Sequence, residues 1–165
     1  MDKLIILSDI HANLTALLAV LDDAFSKYQP DAIVSLGDIV NYGMRPNEVI
    51  NALNQISCPV IVNLMGNHEK ALLDLDLSHF STERGKRLLE YTSSVLSDSS
   101  YSYIRNRMNQ KGFFSMNLSG KNILFLHGDI VDPYWGKLLP EKIHDIRYST
   151  YDYVFSGHTH QPHYL

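Results

Sequence analysis

A mixed α/β fold is what this 165-residue sequence predicts, and three observations predict it. In the first half, short apolar runs alternate with stretches of helical period, the pattern of a parallel sheet with right-handed crossovers. In the second half, two apolar runs flank Ser119-Gly120, a hairpin signal that adds antiparallel strands. Apolar runs in both halves end in clusters of Gly, Asp, Asn and His, so polar chemistry is expected at strand ends.

The elements follow in order. Residues 3–8 form a short apolar run and read as a buried strand. Leu14, Leu17, Leu18, Leu21 and Phe25 then keep helical spacing, with Asn13 placed to cap that helix. Residues 32–36 are a second strand, ended by Gly37. Residues 46–56 read as a helix with Pro46 in its first turn and Val49, Ile50 and Leu53 on one face. Residues 59–64 are a third strand, ended by Gly66-Asn67. Helices are expected over 69–75 and 83–96. The hairpin strands are 113–118 and 122–126, a short helix is expected over 141–148, and the last strand is 153–155, ended by Gly157. No repeat, low-complexity tract or linker divides the chain, and one domain over 1–165 is expected.

Composition narrows the function. Apolar residues at 45% and charged residues at 19% are an ordinary globular balance. The net charge of −4 argues against a dedicated nucleic-acid binder, which needs dense Lys and Arg. The basic stretches 84–87 and 105–111 read as solvated faces. A single cysteine, Cys58, excludes an intrachain disulfide and reads as a small buried residue. The first apolar run ends at Asp9, too short for a signal segment, and no stretch reaches transmembrane length. A reducing cytoplasm is the expected compartment.

The strand-end clusters carry the chemistry. They are Asp9-Ile10-His11, Gly37-Asp38, Gly66-Asn67-His68-Glu69, His127-Gly128-Asp129 and Gly157-His158-Thr159-His160, and they hold five of the eight histidines. Parallel strands deliver their C-terminal ends to one edge of a sheet, where ligands bind in open α/β folds. In extended backbone, residues i and i+2 point to one side, so Asp9 with His11, and His158 with His160, can each present two ligands to one spot. Neutral imidazole with carboxylate suits Zn, Mn, Fe or Ni. Seven candidate ligands exceed the needs of one tetrahedral ion and suit two ions about 3.5–4 Å apart. Asp38, in the central cluster, is the best bridge. Taken singly, Asp9, Gly37-Asp38 and Asn67 would read as turn residues and His127 as a core histidine; only Gly157-His158-Thr159-His160 is moderately specific alone. Together they ask chance to place every cluster just after an apolar run.

These residues, in this order and spacing, resemble the five motifs of the calcineurin-like metallophosphoesterase superfamily. The stretch Gly37-Asp38-Ile39-Val40-Asn41-Tyr42-Gly43, followed by Pro46-Asn47-Glu48-Val49-Ile50, resembles its small bacterial single-domain branch. The resemblance implies a four-layer α/β/β/α sandwich of mixed sheets around a dinuclear centre. Asp9, His11, Asp38 and His160 would hold one divalent transition-metal ion, and Asp38, Asn67, His127 and His158 the other, with manganese favoured over Fe, Zn or Ni. His68 would be the general acid. The protein Ser/Thr phosphatase branch carries Asp and Arg where this chain has Asn41 and Tyr42. Asn41 can still hydrogen-bond to His68, but the missing Arg argues against a phosphoprotein substrate. Relatives usually continue past the last motif with further strands and a helix, so a chain ending at Leu165 is expected to be C-terminally truncated and to lack those strands.

The function expected on this basis is hydrolysis of a small-molecule phosphate mono- or diester, by in-line attack of a hydroxide bridging the ions. Arg45, Tyr42 and Trp135 are the candidate substrate contacts, each with a plainer reading: a helix-start Arg on the surface, and aromatics anchoring a packed loop. His79, His144 and His163 lie outside the motifs and read as surface residues. Two alternatives stay open: a nucleotide pyrophosphohydrolase or nuclease on the same site, and a non-catalytic protein-binding scaffold of the same fold. Neither a membrane partner nor an oligomeric state is indicated.

Overall fold

The computed structural model describes residues 3–163. Strands β1 (Leu4–Leu7), β2 (Ala32–Ser35) and β3 (Val60–Asn63) form one parallel sheet in the order β1-β2-β3. Leu4 pairs with Ala32, Leu7 with Ser35, and Ser35 with Asn63. Parallel neighbours need a crossover, and helices α1 (Leu14–Lys27) and α2 (Pro46–Gln55) supply the two. Asn13 caps α1 as its sequence position predicts: its Oδ1 accepts the Ala16 N–H at 3.1 Å. Leu17 and Leu21 of the expected apolar stripe are buried, whereas Leu18 turns away and is half exposed.

Helices α3 (Asn67–Asp74), α4 (Glu83–Val95) and α5 (Asp98–Arg107) follow β3. Helix α3 starts two residues earlier than expected, so Asn67 and His68 belong to its first turn rather than to a strand end. Helix α5 has no counterpart in the sequence reading. Its sequence, DSSYSYIRNR, is polar and poor in helix formers, and only Tyr103 and Ile104 give it a buried apolar edge. The one local signal was Ser97-Asp98, since Ser97 caps the helix by accepting the Ser100 N–H at 3.2 Å.

The second sheet has the order β4-β5-β6, from Phe113–Leu118, Lys121–Leu126 and Tyr153–Ser156. Strands β4 and β5 form the expected hairpin, with Leu118 opposite Lys121 and both turn residues at positive φ, 51° for Ser119 and 82° for Gly120. Strand β6 runs parallel to β5, so the second sheet is mixed rather than wholly antiparallel. The helix expected over 141–148 is instead two short 3₁₀ turns, Pro140–Lys142 and Ile146–Tyr148. Only Tyr148 is buried there, too little apolar surface to support a continuous helix.

Three apolar clusters tie the elements together. Ile33, Val49, Leu53, Leu72, Leu89 and Ile104 pack with their neighbours between the first sheet and the helices. Val34, Leu36, Val62, Leu64, Ile123 and Phe125 form a second cluster drawn from both sheets, so the sheets face each other. Leu124, Leu126 and Tyr148, with Ile130 and Leu138 against them, cover the far side of the second sheet. The free Cys58 is buried as expected, and no helix among the described residues is long and apolar enough to cross a membrane.

Candidate metal centre

The loops leaving β1, β2, β3, β5 and β6 converge. Backbone hydrogen bonds from Asp9 to Gly37 (3.1 Å), His11 to Asp38 (2.9 Å) and Ala12 to Ile39 (2.8 Å) join the first two loops. Those from His127 to Gly112 (2.9 Å) and from Gly157 to His127 (3.0 Å) bring the second sheet's loops alongside. All seven expected ligands and His68 arrive in one pocket. The Asp and His donor atoms fall into three overlapping groups, Asp9-His11-His160, His11-Asp38-His68 and Asp38-His127-His158, each with ligand atoms within 4.8 Å of one another, and Asn67 Oδ1 lies 2.9 Å from both His127 Nε2 and His158 Nδ1.

The backbone that achieves this is not extended. Asp9, His11, Ala12, Asp38, Asn41, Tyr42, His158 and His160 have φ between 48° and 67°, and they are eight of the eleven non-glycine residues at positive φ among the described residues. The i, i+2 rule for strands therefore does not bring Asp9 to His11 or His158 to His160; left-handed turns do. For side chains other than Asn and Asp this conformation costs about 1–2 kcal/mol each, which surrounding contacts must offset.

Asp38 is the hub. Its Oδ1 accepts the His68 N–H at the start of α3 (2.9 Å). Its Oδ2 then lies 3.3 Å from His127 Nε2, 3.7 Å from His68 Nε2 and 3.9 Å from His11 Nε2. Burial alone would raise its carboxyl, but His127 and His68 hold it well below the usual carboxylate range. Gly66 permits this approach, because a Cβ there would sit 2.2 Å from Asp38 Oδ1.

Each imidazole is oriented by its second nitrogen or by its loop. His11 Nδ1 is 3.1 Å from the Val40 carbonyl and His127 Nδ1 is 2.9 Å from that of Leu36, so both rings donate Nδ1–H outward and present Nε2 to the pocket. His127 Nε2 and His158 Nδ1 both reach Asn67 Oδ1 at 2.9 Å. Asp38 beside it drives His127 up to about 9 against its burial, which favours the protonated ring while no metal is bound. Burial lowers His11 and His158 instead, which favours their neutral form.

Two positioning residues went unnoticed in the sequence. Ser8 donates to Asp9 Oδ2 at 2.5 Å, and the His158 N–H reaches the same oxygen at 3.1 Å. This leaves Asp9 Oδ1 buried without a hydrogen bond, 3.2 Å from His160 Nε2. Gly157 makes room for the pair, since a Cβ there would fall 2.1 Å from Ser8 Oγ. Glu69 is fully buried and accepts four backbone N–H groups, from Asp38, Ile39, Val40 and Gly66, at 2.8–3.0 Å. It clamps the loop carrying Asp38 to the start of α3. Burial and the nearby Asp38 push its carboxyl up to about 7. Its place as the third residue after the helix cap is the capping-box signal that could have revealed it.

The donor set fits divalent transition-metal ions. It combines imidazole nitrogens, carboxylates and one amide oxygen, and it contains an orphaned buried carboxylate oxygen that a cation would satisfy.

Around this pocket, Asn41 Nδ2 is 2.7 Å from His68 Nδ1 while Asn41 Oδ1 accepts the Tyr42 N–H at 2.7 Å. That fixes the amide so that Nδ2 donates to Nδ1, and the ring proton of His68 sits on Nε2, facing Asp38. Burial outweighs Asp38 and lowers His68 to about 4. The Tyr42 ring lies 4.7 Å from both His11 and His68. Trp135 lies edge-on to His158 at 6.3 Å and stacks on the exposed His79 at 4.7 Å, so one of its faces is already covered. Arg45 is exposed, as are His144 and His163.

Known proteins share this fold. The profile of the calcineurin-like phosphoesterase family matches residues 3–162. The uncharacterized protein MJ0912 of Methanocaldococcus jannaschii is 30% identical over 158 residues, which are 95% of this chain and 62% of that protein. A metallophosphoesterase from Sphaerobacter thermophilus superposes with a TM-score of 0.71 at 30% identity, over 97% of this chain and 61% of its own. The hypothetical protein PH1004 of Pyrococcus horikoshii shares the fold with a TM-score of 0.72 at 20% identity, over 93% of this chain and 68% of its own. The chain thus spans less than two thirds of the length of MJ0912 and of the Sphaerobacter protein.

Proposed function

This chain belongs to the calcineurin-like phosphoesterase family, and we propose that it hydrolyses a phosphate mono- or diester of a small molecule with two divalent ions, manganese foremost. The observation that carries the reading is the position of Asp38 Oδ2, within 3.9 Å of three imidazole Nε2 atoms, two from separate loops and one from the first turn of α3. Asp38 would be shared between the two ligand sets. Asp9, His11, Asp38 and His160 would hold one ion; Asp38, Asn67, His127 and His158 would hold the other. When bound, such ions lower the pKa of water from about 15.7 toward about 7 and neutralise phosphate oxygens.

The chain's own residues do the rest. Glu69 and Ser8 fix the two aspartates, so their carboxylates need no reorganisation when charge develops on the substrate. His68 holds a proton at Nε2, where it is offered to the leaving oxygen, and Asn41 maintains that tautomer from behind. Tyr42 and Phe80 pack on His68 from two sides, at 4.7 and 5.1 Å, and limit its rotation. The net charge of −4 disfavours long nucleic acid, and a cytoplasmic small molecule is the substrate class that remains.

The test is reconstitution. Purified protein stripped with a chelator is loaded with Mn²⁺, Fe²⁺, Zn²⁺ or Ni²⁺ and assayed on p-nitrophenyl phosphate and bis-p-nitrophenyl phosphate. The expected result is metal-dependent turnover, abolished by chelation, with two ions bound per chain. Silence with every ion on both esters would overturn the reading in favour of a non-catalytic scaffold.

A further inference from the structure

The proposed reaction leaves one feature of the pocket unused. A cleft of about 510 Å³ opens from Asp9 and His11 and runs between the start of α1 and the loop carrying Tyr42 and Arg45. That is within the size range of small-molecule sites and much larger than a single phosphate requires. Its walls are fixed. The Gly43 N–H is 2.9 Å from the His11 carbonyl and 2.7 Å from that of Asn41, and the Arg45 N–H is 3.3 Å from the Ala12 carbonyl. Tyr42 is packed against His11. The loop is thereby tied to the segment that carries two of the expected metal ligands.

Charge decides what the cleft would hold. Arg45 is the only cationic side chain lining it, and among the described residues that side chain makes no hydrogen bond or ion pair. The one acid in the lining, Asp9, has Oδ2 bonded to Ser8 and His158 and Oδ1 directed toward His160. A neutral leaving group would leave the guanidinium without a partner in the cleft, whereas a second anionic group would meet it in its bidentate geometry. Tyr42 and Met44, both exposed in the same wall, offer apolar surface to whatever lies between the two anions.

We propose that the Tyr42–Arg45 cleft is a subsite for a second phosphate or similar anion, so that the preferred substrates are phosphate esters or anhydrides bearing an anionic group beyond the scissile phosphate. This rests on the hydrolase reading for the scissile phosphate, but the subsite can be measured without turnover. The probes are AMP, as its non-hydrolysable 5′-phosphonate analogue, and the non-hydrolysable α,β-methylene-ADP, which share a nucleoside and differ by one anionic group. Their affinities for the Zn²⁺-loaded protein are compared by calorimetry. The wild type should bind α,β-methylene-ADP about tenfold more tightly than AMP. Arg45→Ala should bring that ratio near one while changing AMP affinity less than twofold, and Arg45→Lys should keep part of the preference. Equal affinities in the wild type, or an unchanged ratio in Arg45→Ala, would overturn the subsite. Turnover of p-nitrophenyl phosphate, measured alongside, separates the two ideas: preference without turnover removes the hydrolase reading alone, and turnover without preference removes the subsite alone.

Discussion

At the scale of single residues, the pocket separates groups that face the pocket's centre from groups that hold them. His68 belongs to the first kind. Its Nε2 faces Asp38 Oδ2 at 3.7 Å while Asn41 engages its Nδ1. His68→Ala should bind as much metal as the wild type, measured by metal analysis, and lose about 10²–10⁴-fold in kcat on an alkyl phosphate, where the leaving oxygen most needs a proton. The loss should shrink on p-nitrophenyl phosphate, whose phenolate departs unaided. Full activity of the variant on the alkyl ester would remove His68 from the chemistry. Ser8 and Glu69 belong to the second kind and touch only backbone or a carboxylate. Both were quoted or adjacent in the sequence motifs, and the capping-box spacing of Glu69 points to its bond from the Gly66 N–H but not to the three from residues 38–40.

At the scale of elements, local rules explain most helices and fail where the chain is polar. Helix α3 ends at Leu75, whose φ of 56° is left-handed and whose side chain is 77% exposed. Glycine is the favoured residue at such a cap, and Leu75→Gly should stabilise the protein by about 0.5–1 kcal/mol, read as a raised midpoint in urea unfolding. A lowered midpoint would mean that Leu75 stabilises through contacts its exposure does not reveal. The hairpin was legible because Ser119-Gly120 fits a two-residue turn between two apolar runs. Helix α5 was not, because DSSYSYIRNR has little helical preference of its own and is held by Tyr103 and Ile104 packing into the main core. The segment 141–148 erred the other way: its composition allows a helix, but the buried surface of Tyr148 supports only 3₁₀ turns.

At the scale of the whole molecule, the pocket is a store of buried charge, and this gives the metal-free protein a pH-dependent stability. His127 rises from 6.5 to about 9 on folding because Asp38 outweighs its burial. The folded state therefore binds this proton more tightly than the unfolded state. The stabilisation is fully present below pH 6.5 and is lost as pH climbs through 9. Chelated protein should accordingly lose on the order of 1–3 kcal/mol between pH 6.5 and 9, seen as a falling thermal midpoint. Added Zn²⁺ or Mn²⁺ should reverse the trend, because a ligating His127 must release that proton and affinity then grows with pH. A midpoint that stays level from pH 6.5 to 9 in chelator would show that Asp38 does not hold His127 charged.

The sequence by itself determined the alternation of strands and helices, the hairpin, and which residues could bind a cation, because apolar period, turn chemistry and side-chain type are all local properties. It also placed each polar cluster at the end of an apolar run, which is enough to expect one shared edge. Only the tertiary structure decided how those clusters meet. Eight left-handed residues turn the loops inward. Glu69 locks two of those loops together, and Asp38 is anchored across the sheet on the first turn of α3. The contacts of Glu69 and His68 with the Asp38 loop join residues some thirty positions apart, and the φ values they impose cost energy locally. No local reading can favour them; only the packing of both sheets around the pocket makes them the lowest state.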